Sequence, residues 1–180
     1  LQPHMTTLKV ILPVGISFYT FHNLSYIIDI YYKKIKPTYN AVDYGVFVSF
    51  FPLLVAGPIE RATHLLPQIE KRRRFDYSQA ISGLRQILWG LFKKIVVADN
   101  CAELANDIFA TYPYYNGSTL IVGIVMFSIQ IYGDFSGYSV MTLGTARLLG
   151  FNLLKNFNFP YFSRDIAEFW RRWHISLSTW

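Results

Sequence analysis

Residues 164–180 read Arg164-Asp-Ile-Ala-Glu-Phe-Trp-Arg-Arg-Trp-His-Ile-Ser-Leu-Ser-Thr-Trp180. One histidine, His174, stands there among three tryptophans, paired arginines and several hydroxyls. A neutral imidazole is a general base poised for a proton on a hydroxyl, and such a base contributes roughly 10²–10⁴-fold in rate. Burial against aromatic rings favours that neutral form. The chemistry this suggests is attack of an acceptor hydroxyl on an acyl carbonyl. A lone histidine more often only hydrogen-bonds, but the density of Trp, Arg and Ser around this one shifts the balance towards function. On a single helix, Ile166, Phe169, Trp170, Trp173, Leu177 and Trp180 share one broad face, and His174 lies four residues from both Trp170 and Ser178. Glu168 is spaced to pair with Arg171 or Arg172. Ser176 and Ser178 are possible nucleophiles, but no activating base is evident beside them.

Asp134 is the second ionisable residue of note. It follows an uncharged run over 108–133 and precedes another over 135–146. A carboxylate in such a setting faces a wet cavity, finds a partner, or caps a helix. No metal-ligand spacing, phosphate loop, dinucleotide fingerprint or Gly-x-Ser-x-Gly elbow is present. His4, His22, His64 and His174 are scattered.

The elements around these residues read as membrane helices. Of the 180 residues, 52% are hydrophobic, 18% aromatic and only 16% charged, with mean hydropathy +0.25; a soluble domain carries about 25% charged residues. The net charge of +6 resides in clusters at Lys33–Lys36, Lys71–Arg74, Lys93–Lys94 and Arg171–Arg172, each near the end of an apolar run. That placement fits cytoplasmic anchoring and attraction to anionic lipid heads, and argues against a nucleic-acid partner. The single cysteine, Cys101, allows no intrachain disulfide and reads as a small buried residue.

The expected fold class is all-α, a polytopic integral membrane protein. Spanning or re-entrant helices are predicted near 8–32, 42–59, 78–98, 119–149 and 165–180. His22, Asn23 and Ser25 would hydrogen-bond between helices. Basic clusters flank 42–59, and Pro52 with Gly57-Pro58 breaks helices, so that segment is expected to be broken or re-entrant, with a kinked helix as the alternative. Asp76 or Ser78 caps the helix towards Ala98, whose stripe is Ile81, Leu84, Leu88, Leu91 and Ile95. A short helix over 102–109 and a Tyr-rich loop over 111–118 follow. The stretch 133–139 is expected to interrupt the helix over 119–149, which ends at Gly150. A loop over 152–160 leads to a final helix capped by Ser163 or Asp165. The first residues show no signal peptide, and both ends read as the interior of a longer chain.

Four stretches together resemble the membrane-bound O-acyltransferase family, nearest the branch of the bacterial alginate O-acetyltransferase membrane component. They are Pro13-Val-Gly-Ile-Ser-Phe-Tyr-Thr-Phe21, Val55-Ala-Gly-Pro-Ile-Glu-Arg61, Asp134-Phe-Ser-Gly-Tyr-Ser139 and Phe169-Trp-Arg-Arg-Trp-His-Ile-Ser-Leu-Ser178. The resemblance implies a tunnel through many membrane helices in the bacterial inner membrane. It implies a thioester acyl donor such as acetyl-CoA, no bound cofactor, and a polysaccharide hydroxyl as acceptor, with a periplasmic acyltransferase partner. His174 matches the first of two family histidines, and the second is expected beyond Trp180, so the chain alone would be inactive. Substrate-binding or tunnel residues would be Glu60, Arg61, Asp134, Ser136, Tyr138, Arg171, Arg172, Trp173 and Ser176. The branch usually reads Ser-Gly-Tyr-Ser-Asp-Met-Ala where this chain has Ser136-Gly-Tyr-Ser-Val-Met-Thr142, so Val140 removes a carboxylate and leaves the acceptor open. A transporter, or a non-catalytic subunit of a polysaccharide export assembly, is the competing reading.

Overall fold

A computed structural model describes residues 15–55 and 57–180. The first seven residues of the helix predicted over 8–32, the start of the 13–21 motif, and Ala56 lie outside the described residues. Among those described, all regular structure is helical: α1 (Ile16–Tyr31), α2 (Ala41–Val48), α3 (Ala62–Glu70), α4 (Tyr77–Leu91), a π-helical segment (Phe92–Ala98), α5 (Asp99–Ala110), α6 (Gly117–Leu148), α7 (Ile166–Arg172) and α8 (Ile175–Ser178).

Helix α6 organises the rest. Its 32 residues are the one stretch among the described residues long and apolar enough to cross a membrane. At 1.5 Å per residue it extends about 48 Å, more than the roughly 30 Å of a hydrocarbon core. Asn116 caps its start by accepting the Thr119 N–H at 3.0 Å. Its end is a Schellman turn: Gly150, at φ +79°, donates to Arg147 O at 3.0 Å, and Phe151 donates to Ala146 O at 2.9 Å.

The expected interruption at 133–139 does not occur; α6 runs through it unbroken. The glycines there serve close packing instead. A Cβ on Gly137 would lie 2.9 Å from Gly90 O, and one on Gly90 would lie 2.7 Å from Gly137 O. The same reciprocity joins Gly144 to Gly83, at 2.6 and 2.7 Å, seven residues away on each helix. Two antiparallel helices thus meet backbone to backbone at matched glycines, because residues without a Cβ let helix backbones approach closely.

The helix capped by Asp76, whose Oδ1 accepts the Gln79 N–H at 3.1 Å, continues through the π-helical segment into α5. There the Asp99 N–H bonds to Lys94 O, one residue further back than in an α-helix.

A second packing unit joins α1, α2 and α3. Phe47, Phe50, Leu53, Leu65, Leu66 and Ile69 fill its core with Ala146 of α6 and Phe151. Within residues 42–59, α2 ends at Val48, a 3₁₀ turn covers Phe51–Leu53, and the chain runs without regular structure from Gly57. A Cβ at Gly57 would sit 2.7 Å from Leu53 Cα, so the chain doubles back closely there. The Thr142 hydroxyl of α6 donates to Pro52 O at 3.0 Å and ties this break to the central helix.

The final segment also departs from expectation. Residues 165–180 are not one helix. Asp165 caps α7 by accepting the Glu168 N–H at 2.6 Å, and α7 ends at Arg172. The chain turns through His174 in the left-handed region, φ 47° and ψ 53°, before α8 begins. The face shared by Trp170, Trp173 and Leu177 on a single helix is therefore not formed.

Candidate active site around His174

The turn at His174 is held by hydrogen bonds from a distant loop. Asn158 N–H donates to Arg172 O at 3.0 Å, and Ile175 N–H donates to Asn156 O at 2.9 Å. The buried Asn156 side chain accepts the Ser176 hydroxyl at 2.8 Å through Oδ1, and its Nδ2 donates to Ser139 Oγ of α6 at 3.2 Å. Ser176 Oγ in turn accepts the Ile59 N–H at 2.9 Å. One network thus joins α6, the 57–61 segment, the 152–158 loop and α8. It over-determines a backbone conformation that costs a non-glycine residue about 1–3 kcal/mol.

His174 Nδ1 lies 3.4 Å from Ser176 Oγ. The only hydrogen on that hydroxyl goes to Asn156, so the imidazole must be the donor if the two interact. This inference from the network places the proton of the neutral ring on Nδ1 and the lone pair on Nε2. Nε2 has no hydrogen-bond partner among the described residues. Ser176, 3% exposed and with its hydroxyl already engaged on both sides, positions rather than attacks.

One aromatic ring meets the histidine directly, and others pack on its neighbour Trp173. Phe135 of α6 meets its ring edge-on at 4.8 Å between centroids. Trp173 stacks on Phe169 at 5.6 Å and meets Phe157 edge-on at 5.1 Å. Tyr132 and Tyr161 complete the cluster, 6.2 and 6.3 Å from Trp173. Edge-on and offset contacts of this kind are the favoured aromatic geometries.

Glu60 and Arg61 hold the neighbouring strand of chain in place. Glu60 is fully buried; Oε1 accepts the Leu154 N–H and Oε2 meets His64 Nδ1, both at 2.6 Å. That carboxylate raises the His64 pKa above its ordinary value. Arg61 donates to the carbonyls of Thr179, and of Trp180 at 2.9 Å. Arg172 pairs with Glu168 at 2.5 Å, whereas Arg171 is exposed and has no ion pair among the described residues.

Asp134 and Tyr138 face elsewhere. Asp134 Oδ1 is 2.8 Å from Lys94 Nζ, which also meets Asp99 Oδ1 at 2.7 Å. That separation makes Asp134 and Lys94 an ion pair. The same ammonium lies 5.8 Å from the Tyr138 ring centre. Asp134 therefore finds a partner instead of capping a helix, and the π-helical turn presents that partner. Ser136 is buried in α6. The structure thus brings Trp173, Ser176 and, through Ile59, the 57–61 segment to His174, while Asp134 and Tyr138 gather at Lys94.

Sequence reasoning missed Asn156 and Lys94. An available signal pointed to Lys94: a carboxylate on an apolar helix requires a cation, and Lys93-Lys94 was the cluster embedded in a predicted helix. Asn156 is one of three asparagines in its loop, with nothing to distinguish it. Among the described residues no three His, Cys, Asp or Glu side chains gather closely enough to hold a metal ion.

The family model of the membrane-bound O-acyltransferases matches residues 31–180. The chain belongs to that family. It is 43% identical to the probable alginate O-acetylase AlgI of Pseudomonas aeruginosa over its whole length, covering 34% of that protein. It is 35% identical to the peptidoglycan O-acetyltransferase of Helicobacter pylori, with 98% of this chain and 38% of that protein aligned. It is 29% identical to the teichoic acid D-alanyltransferase of Bacillus subtilis, over 99% of this chain and 46% of that protein. This membrane-bound O-acyltransferase chain thus spans about a third of the length of its alginate O-acetylase relatives. Both the His174 turn and the buried Glu60 lie inside the matched region.

Proposed function

We propose that this chain forms part of a multi-pass O-acyltransferase of the bacterial inner membrane. The enzyme moves an acyl group, acetyl in our reading, from a cytoplasmic thioester such as acetyl-CoA towards hydroxyls of an exported polysaccharide. The observation that carries the reading is the His174 ring, with Nε2 unpartnered and its backbone fixed by Asn156 and Ser176, in a chain of this family. The relatives named for O-acetyl transfer to alginate and peptidoglycan support acetyl over D-alanyl, since they share the higher identities.

In the reaction, the acceptor hydroxyl oxygen attacks the thioester carbonyl while its proton passes to His174 Nε2. The tetrahedral intermediate expels the thiolate, which recovers the proton from the imidazolium. The products are an ester, a free thiol and a neutral imidazole. Trp173 and the surrounding rings exclude water, which would otherwise hydrolyse the donor. Ser176, Glu60 and Arg61 brace the wall that carries His174. Arg171, exposed beside it, is placed to meet an anionic part of donor or acceptor, and Arg172 holds α7 through Glu168. Asp134 and Tyr138, gathered at Lys94, and the buried Ser136 belong to the tunnel wall in this reading. A periplasmic acyltransferase completes transfer to the glycan.

The test uses membrane vesicles containing the full-length protein, acetyl-CoA labelled in the acetyl group, and glycan acceptor. Base-labile label on the acceptor or on the periplasmic partner is expected. Thioester consumption no greater than in vesicles without the protein would contradict the reading.

A further inference from the structure

At the C-terminal end of α6, Arg73, Arg74 and Arg147 line a cleft of about 200 Å³ with Phe75, Asp76 and Gln79. None of the three arginines has a carboxylate within ion-pair distance among the described residues. The one carboxylate lining the cleft, Asp76, has Oδ1 engaged with the Gln79 N–H. Two of the three are nevertheless held in place, and Arg74 stands exposed beside them. Arg147 Nη1 donates to Ser82 Oγ at 2.8 Å. Arg73 Nη1 donates to Gln68 O at 2.8 Å and Ile69 O at 3.3 Å, with its guanidinium carbon 4.1 Å from the Phe151 ring centre.

Each guanidinium keeps donors to spare after these bonds. Arg147 is not consumed by capping its own helix, because Gly150 and Phe151 N–H groups already satisfy the carbonyls of Arg147 and Ala146. Positioned arginines without a counter-charge suit a tetrahedral anion with several oxygen acceptors. Depth in the membrane selects among such anions. The cleft lies where the apolar run of α6 ends, and Phe75, Tyr77 and Leu149 are 79%, 73% and 43% exposed beside it. Exposed aromatic and aliphatic side chains next to a basic cluster mark the headgroup level of a bilayer.

We infer that this cleft binds the phosphate of an anionic membrane phospholipid, with Arg74 and Arg147 as its principal donors and Arg73 as a fixed wall. The inference rests on α6 crossing the membrane, which is part of the function proposed above. A phosphate of a soluble donor has the same chemistry, and the test separates the two sources.

The full-length protein, purified in detergent, is exposed to phosphatidylglycerol or phosphatidylcholine, and retained lipid is read by native mass spectrometry. The unaltered protein is expected to retain phosphatidylglycerol preferentially. Arg74→Gln with Arg147→Gln should lower that retention on the order of 10-fold, while Lys155→Gln, at an exposed lysine outside the basic clusters, leaves it unchanged. Arg147→Lys, which keeps the charge, should retain most of it and so separates lost charge from lost fold. Should the double variant elute as aggregate, the exposed Arg74→Gln alone carries the test, with a smaller loss expected. Unchanged retention in the arginine variants, or an equal drop in the lysine control, would overturn the proposal. Equal retention of both lipids, with inorganic pyrophosphate binding lost in the arginine variants, would overturn the lipid source in favour of a soluble phosphate. Lipid retention does not depend on acyl transfer, so a catalytically inactive protein that holds phosphatidylglycerol would count against the proposed function alone.

Discussion

The side chain of Asn156 accepts the Ser176 hydroxyl at 2.8 Å, across 20 residues of chain, and through it fixes the left-handed turn at His174. Both residues are almost fully buried, Asn156 at 1% and Ser176 at 3% exposure. A buried hydrogen-bonded pair of this kind is costly to break, because the surviving partner is left unsatisfied.

Asn156→Ala in the full-length protein is therefore expected to lower thermal stability by about 1–3 kcal/mol. Acetyl transfer should fall further than the loss of folded protein explains, because His174 loses the support of its turn. Transfer per folded molecule, compared with the unaltered protein, checks this; an unchanged value would mean that the turn holds without Asn156.

Gly137→Val places a branched side chain where a single Cβ already comes within 2.9 Å of Gly90 O. Neither backbone can yield cheaply, so a loss of at least about 1–3 kcal/mol is expected. Gly117→Ala, where nothing lies within 4 Å of the added Cβ, should behave like the unaltered protein. Thermal unfolding of the purified variants reads both.

The Lys94–Asp134 pair predicts a coupling. Lys94→Met alone leaves two carboxylates without their cation, whereas Lys94→Met combined with Asp134→Asn removes one of those charges. The double variant should recover part of the stability lost by Lys94→Met, with an interaction energy on the order of 0.5–3 kcal/mol. A strictly additive cycle would show that the two residues do not interact.

His64 gains the Glu60 carboxylate on folding, which raises its pKa above the ordinary value of about 6.5. A group whose folded value is raised contributes stability that is fully present below its unfolded value. That contribution disappears as the pH rises through the folded value. The gap in melting temperature between the unaltered protein and His64→Gln should accordingly be largest near or below pH 6.5 and shrink at higher pH. A gap that widens with pH would contradict the pairing.

The sequence made the helices legible where hydrophobic runs and caps coincide, as at Asp76, Asp165 and Gly150. Chain direction changed at Pro52 and Gly57 as their types suggested. Glycines misled at 133–139, because a glycine in an apolar helix signals either a break or a close approach, and only the partner glycines 83 and 90 decide which. The turn at His174 was hidden for the opposite reason: no Gly or Pro marks it. It exists because Asn156 and Asn158, from a separate loop, capture Ile175 N–H and Arg172 O. His174 itself stood out by its setting, but its orientation depends on chain segments more than 100 residues apart, joined at Ile59 and Ser176.

The central claim is that His174 Nε2 takes the proton of the acceptor hydroxyl. Its most direct measurement is acetyl transfer by the full-length protein carrying His174→Ala, compared with the unaltered protein at matched membrane levels. The account predicts a loss of roughly 10²–10⁴-fold in rate. Transfer at the normal rate by a variant present in the membrane in normal amount would contradict it.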